Sequence, residues 1–293
     1  MTIAEAERII DRFNDMDNPS ADDEFLYIEA MDFLITKEKD PDMMLYLGGY
    51  YYEKKDFDLA LKYYEMASSY GSERAEECLG YIWYYGRTGE KDYEKAFKYY
   101  SKAMERGSLV CTYKVADMYR NGYYVEKDYE KYKSMIEGLY PRIKYARNLF
   151  DPLPEVFTRL AHIRAEQGRT KEAVDLYLKA KDFLAQRISY NAFFGNLSIM
   201  KWLIDDLYKL IEFDYEDFDF YDLYYVLNRP NRVTFFYGGK EHFIESSVEE
   251  GAVVVNFDGK WFRDRDEFFK NARIGDKRLT DIYDRIGGLS VEG

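Results

Sequence analysis

Small and aromatic residues recur in a fixed order along the first half of this chain. Leu47-Gly48 is followed by Ala60, Tyr64 and Ala67, and Leu79-Gly80 by Ala96, Tyr100 and Ala103. Steps of four and three place each Ala-Tyr-Ala set on one face of one helix. Two small residues flanking an aromatic make a groove for a neighbouring helix, and Gly48 and Gly80 supply a matching small site on the helix before it. Glycine inside a helix costs about 1 kcal/mol against alanine, so close helix packing is the compensation the pattern predicts. Asp56-Phe57, Asp92-Tyr93 and Asp128-Tyr129 return every 36 residues. Gly71 and Gly107 stand where the second helix of each unit should end, since glycine tolerates the left-handed conformation of a helix terminus. A period of this length predicts stacked helix pairs, an architecture that more often binds than catalyses.

The units differ in one place. Leu47 to Ala60 is 13 residues, whereas Leu79 to Ala96 is 17; the added turn is Gly86-Arg87-Thr88-Gly89. The third unit keeps the longer form with Val115-Ala116 and Gly122, then sets Tyr132, Ile136 and Leu139 where Ala, Tyr and Ala are expected. A fourth, Leu160-Ala161, Gly168, Ala173, Tyr177 and Ala180, returns to the shorter spacing. The second unit, with Trp83, Lys95-Ala96, Tyr99-Tyr100, Lys102-Ala103 and Gly107 added to the residues above, resembles a Sel-one-like repeat. The first and fourth resemble tetratricopeptide repeats, the same superfamily with a shorter loop. The resemblance covers roughly residues 43–186. It implies an adaptor that assembles other proteins, and it brings no catalytic residue.

Around the array, residues 3–14 read as a helix with Ile3, Ile9, Ile10 and Phe13 on its apolar positions. Ser20 with Asp23 starts a second helix running to about Thr36. This pair is expected to cap the array, because an end unit must cover its neighbour's apolar face. Val115 to Leu160 is 45 residues rather than 36, and Gly138–Pro154 holds three prolines, so a bend or an extra turn is expected there. Asn196–Ile211 reads as a further helix. Glu212–Asp222 alternates acids and rings; the favoured reading is a connector that buries its rings and solvates its carboxylates, over a docking surface or a calcium site. After Asn228-Arg229-Pro230-Asn231 the period falls to two. Gly238-Gly239 and Asp258-Gly259 then mark two hairpins, followed by short helices over Asp266–Ala272 and Leu279–Ile286. The predicted fold is mostly α: an α-solenoid of stacked helix-turn-helix repeats over 1–229, and a small α+β domain of antiparallel hairpins and short helices over 230–293.

Composition narrows the function. Aromatics make up 18% of the chain, with 31 Tyr and 20 Phe, more than leucine-based packing requires. Most are expected in the core, and some in a groove, where tyrosine is a favoured contact residue. The net charge is −13, and residues 230–293 hold 10 Lys+Arg against 12 Asp+Glu, so the helical part carries most of it. That argues against nucleic-acid backbones and anionic membranes, and it leaves a basic protein or peptide partner open. Cys78 and Cys111 read as small buried residues rather than a disulfide. With those two and two distant histidines, His162 and His242, no metal or other cofactor is expected. Met1–Glu7 lacks a secretory signal and no run of about 18 apolar residues exists, so the reading is cytoplasmic. The repeat type points to a bacterial source.

The common catalytic motifs are absent. Gly238-Gly239-Lys240 reads as a hairpin turn rather than a phosphate loop, and His162 as a plain surface or packed histidine. The first helices of such arrays line the concave face. Removing their packed positions leaves a predicted partner-binding row of Tyr52 and Glu53, then Tyr81, Tyr84 and Tyr85, then Tyr113, Asp117, Arg120 and Asn121. The alternative is that these rings pack against the amino-terminal helices or the carboxy-terminal domain. The expected function is a non-enzymatic protein–protein scaffold that takes a peptide or protein segment in this groove. The competing reading makes the α+β domain a small-ligand sensor or enzyme, with the array as its docking arm. Its first candidates are Lys240, Glu241, His242, Asp258 and Lys260, although the adjacent Glu241 and His242 would point to opposite faces of a strand.

Overall fold

The structure, a computed structural model, describes residues 1–190 and 194–292. Its packing divides into two compact units, Met1–Met135 and Ile136–Gly293.

The first unit opens with α1 (Ile3–Asn14) and α2 (Ala21–Glu38), each begun by a capping box, Thr2 with Glu5 and Ser20 with Asp23. Three repeats follow. Their first helices are α3 (Pro41–Glu53), α5 (Glu73–Tyr85) and α7 (Leu109–Asn121); their second are α4 (Phe57–Ser69), α6 (Tyr93–Glu105) and α8 (Tyr129–Ile143), which runs past the division. The recurring aspartate is a helix start. Asp56, Asp92 and Asp128 accept the backbone N–H of Leu59, Lys95 and Lys131 at 3.1, 2.9 and 2.8 Å. Ser72 and Ser108 do the same for α5 and α7. In the longer loops Gly86 and Gly122 end the first helix at φ 65° and 71°. A side chain at Gly86 would strike the backbone of Lys91, which folds back over it.

The small-residue reading holds at atomic detail. A methyl group on Gly48 would lie 2.5 Å from the Tyr64 ring, and one on Gly80 would overlap the Tyr100 ring. Ala60, Ala67, Ala96 and Ala103 are fully buried beside those rings. Burial of a whole tyrosine ring at the helix interface compensates for the two helical glycines. Within the second repeat, the buried Glu76 meets Lys102 at 2.6 Å and Arg106 at 3.4 Å. Arg106 also donates to the Gly71 carbonyl at 2.7 Å, so the end of α6 holds the end of α4.

In the second unit α9 (Leu153–Glu166) and α10 (Thr170–Tyr190) form the fourth helix pair. The predicted break is a loop over 144–152, because α8 continues through Gly138 and Pro141. Arg187 secures that loop by donating to the carbonyls of Leu149 and Asp151 and to Glu155, at 2.5–2.7 Å. Then come α11 (Phe194–Leu207) and α12 (Leu223–Val226). The acidic connector buries Phe213, Phe220 and Tyr221 and exposes Asp214, Glu216 and Asp217. Asp222 departs from that reading: it is buried, 2.5 Å from the buried Lys181, which also meets Asp219 at 2.8 Å.

The sheet consists of β1 (Asn231–Tyr237), β2 (Lys240–Glu249), β3 (Ala252–Phe257) and β4 (Lys260–Phe262), with β7 (Gly287–Glu292) completing it in the order β4-β3-β2-β1-β7. All neighbours are antiparallel. Both predicted hairpin turns are present, and β7 is a strand the sequence pattern did not indicate. Between β4 and β7 lie α13 (Arg265–Asn271), a two-residue hairpin of β5 (Arg273–Ile274) and β6 (Lys277–Arg278), and two single 3-10 turns where Leu279–Ile286 was expected as a helix. The inward face, Val233, Phe235, Ile244, Val255, Phe257 and Phe262, alternates with outward residues. Phe268 meets Phe257 and Phe262, while Phe269 stacks on Tyr224 at 3.8 Å and meets Phe220. Through these rings the sheet packs on the helical segment before it, and the period changes at residue 230 inside one compact body. Among the described residues no helix is long and apolar enough to cross a membrane.

Candidate binding face

Each first helix turns a strip of side chains away from its partner helix. Because Gly48, Gly80 and Ala116 are equivalent, so are Tyr46, Cys78 and Lys114, then Gly49, Tyr81 and Asp117, then Glu53, Tyr85 and Asn121. These positions lie three or four residues apart and share one helix face.

Four of the predicted rings come together. Tyr52 meets Tyr81 at 6.2 Å, Tyr81 meets Tyr85 at 4.4 Å, and Tyr85 meets Tyr84 at 5.0 Å. Arg87 lies over Tyr81 and Tyr85 and donates to the Tyr81 hydroxyl at 3.0 Å. Lys114 lies over Tyr84, Tyr85 and Tyr113 at 5.4–5.7 Å, with its amine 3.4 Å from the Tyr85 hydroxyl. Cations on ring faces are attractive, so the ring ladder is organised by two basic residues absent from the predicted row, Arg87 beside Tyr52 and Tyr81 and Lys114 reaching in from α7. Tyr85 is exposed, and Glu53 and Asn121 are exposed beside it in the strip. Tyr84 is half-buried among Tyr93, Tyr100 and Tyr123. Tyr113 is buried. Arg120 turns over the Tyr132 ring, and Asn121 donates to the carbonyl of the half-buried Asp117. The outward-facing members of the row are therefore Glu53, Tyr81, Tyr85, Asp117 and Asn121.

Between α3 and α5 the same face opens into a cleft of 530 Å³. Asp42, Tyr46, Gly49 and Glu53 line it from α3, Arg74 and Cys78 from α5, with Tyr64 beneath. It exists because Gly49 has no side chain where Tyr81 and Asp117 stand in the next two units. The repeat register carries this signal as a missing side chain rather than as a reactive group.

Burial tunes several groups here. It raises the Tyr52 hydroxyl to about 12, with Tyr81 adding to the shift and Arg87 opposing it. It pushes the Cys78 thiol up to about 11. It also raises the Glu77 carboxyl, against the pull of Arg74 and Lys114.

In the sheet, His242 and Asp258 do meet, Nδ1 to Oδ2 at 2.6 Å, and the second Asp258 oxygen accepts from the Phe243 N–H. The His242 ring stacks on Phe235 at 5.2 Å and lies 6.0 Å from Phe257, inside the core. Lys240, Glu241 and Lys260 are exposed, and Glu241 lies on the opposite face of β2. The pair stabilises a hairpin end and is walled by rings. Among the described residues no group of three or more His, Cys, Asp or Glu side chains could hold a metal ion.

Comparison with known proteins identifies the repeats of the first unit. The Sel1 repeat model matches residues 41–72, 79–108 and 110–131. A Sel1 repeat protein from Oxalobacter formigenes has the same fold: 20% identity, 73% of this chain and 80% of that one covered, TM-score 0.53. A protective antigen of uropathogenic Escherichia coli strains, displaying an SLR fold, matches at 18% identity over 65% of this chain and 46% of that one, TM-score 0.45. The C-terminal part of a TPR repeat-containing protein from Cytophaga hutchinsonii matches at 16% over 71% and 79%, TM-score 0.38. No curated protein matches the chain.

Proposed function

Starting from a chain that carries Sel1 repeats between residues 41 and 131, we propose that it is a non-enzymatic scaffold whose first-helix face receives a segment of another protein. Sel1 repeats commonly mediate contacts between proteins. The observation that carries the reading is that the first helices of adjacent repeats carry both an open cleft, between α3 and α5, and a ladder of rings at Tyr52, Tyr81 and Tyr85. Rings with wet hydroxyls give large contact area at low entropic cost, which suits an extended or helical segment.

The test compares capture from an extract of the source organism by the intact chain and by a Tyr46→Ala, Tyr85→Ala variant with unchanged circular dichroism. Both rings are exposed, at 56% and 38%, so their removal leaves the core intact. A protein retained by the first and lost by the second supports the reading. Equal retention by both overturns it.

A further inference from the structure

Two neighbouring gaps in the array share one backbone plan and differ in what fills them. Between α5 and α7 the chain supplies its own occupant: Lys114 reaches across to Tyr84 and Tyr85, with its amine at the Tyr85 hydroxyl. Between α3 and α5 the equivalent of Lys114 is Cys78, too short to cross. The equivalent of Tyr81 is Gly49, and that of Tyr85 is Glu53. The second gap thus holds a lysine against a tyrosine hydroxyl. The first presents a carboxylate with no lysine and 530 Å³ of space in front of it. Asp42 lies on the same wall, and neither it nor Glu53 has an ion-pair partner among the described residues. The surrounding charge has the same sign, since residues 1–53 carry 14 Asp+Glu against 4 Lys+Arg. The lysine at the C-terminal end of α3, Lys54, is outside the cleft lining and is held by Glu24 at 2.7 Å.

We propose that the α3/α5 cleft takes a lysine or arginine side chain of a protein partner, in the place that Lys114 fills one repeat later. The inference rests on the scaffold reading above and narrows it to one recognised side chain. Arg74, on the α5 wall, directs the incoming charge toward α3.

The test selects phage-displayed dodecapeptides on the intact chain and measures the affinity of the enriched sequences in labelled form. They are expected to share a Lys or Arg. Cys78→Lys supplies an internal cation to Glu53, and Gly49→Leu fills the cleft; each should abolish binding. Glu53→Gln, at an exposed position that does not challenge folding, should weaken binding about fivefold, and Arg74→Ala should tighten it about twofold, the range of exposed charge pairs. Enriched peptides without a basic residue, unaffected by Cys78→Lys yet lost with Tyr85→Ala, overturn this inference and leave the scaffold face standing. Failure to enrich any peptide, or equal binding by every variant, overturns both.

Discussion

Residues 1–135 bring their helices together by leaving side chains out and pair their buried Glu76 with half-exposed cations, whereas residues 136–292 bury both partners of two ion pairs. In the first unit Gly48 and Gly80 admit the rings of Tyr64 and Tyr100, and the arrangement recurs with the repeat. In the second unit Lys181 with Asp222 and Arg187 with Glu155 are buried pairs that occur once each. A repeated steric fit spreads stability over equivalent sites. A single buried pair concentrates it, because removing one partner strands the other away from water.

The largest effect is therefore expected in the second unit. Asp222→Ala leaves the buried Lys181 only the exposed Asp219 and removes the acceptor of the Asp219 N–H, so it should cost about 3 kcal/mol, read from urea unfolding, and the double change Lys181→Met, Asp222→Leu should recover most of it. A loss under about 1 kcal/mol would put this pair among the weak surface bridges and remove the contrast. Burial alone would lower the Lys181 pKa, but Asp222 and Asp219 outweigh it and hold it above the ordinary lysine value. Its contribution is therefore full below the unfolded lysine value of about 10.4 and is lost as pH rises through the higher folded one. The stability gap between wild type and the double variant should change little from pH 7 to 9 and shift against wild type in strong alkali.

Next in size is Gly80→Ala. Helix propensity favours alanine by about 1 kcal/mol, yet the collision with Tyr100 should make the variant less stable by about 1–3 kcal/mol. Thermal unfolding that shows a gain would refute packing by omission. Ser108→Ala should cost about 1 kcal/mol by removing the cap that Cys111 uses at 3.1 Å. The smallest effect has the opposite sign. Gly49 has only the Tyr64 hydroxyl near its missing methyl, at 3.8 Å, so Gly49→Ala should stabilise by about 0.5–1 kcal/mol. Adjacent glycines, Gly48 and Gly49, thus respond oppositely to the same substitution if one serves packing and the other an opening.

What could be read from the sequence was local or periodic. The Asp-aromatic period names three helix starts because capping needs only residues three apart. Gly238-Gly239 and Asp258-Gly259 place two hairpins because turn geometry is set by the turn residues. Strand β7 was not legible: Gly287-Gly288 weakens the pattern, and its partner β1 lies more than 50 residues earlier. On the binding face a helical step of one residue decides the outcome. Tyr113 was expected outward and is buried, while its neighbour Lys114 reaches the rings of α5. Cys78 and Gly49 matter for what they lack relative to Lys114 and Tyr81, which residue type alone does not signal.

The caps have a consequence for how such a chain changes length. Residues 72–107 contain the serine that starts α5, the aspartate that starts α6 and the glycine that ends it at φ 109°. The next residue, Ser108, is a serine again. A segment with its own start and stop signals at both helices is a cassette. Duplicating or excising it in frame leaves every remaining helix with its cap, so copy number can drift without a new junction having to be invented.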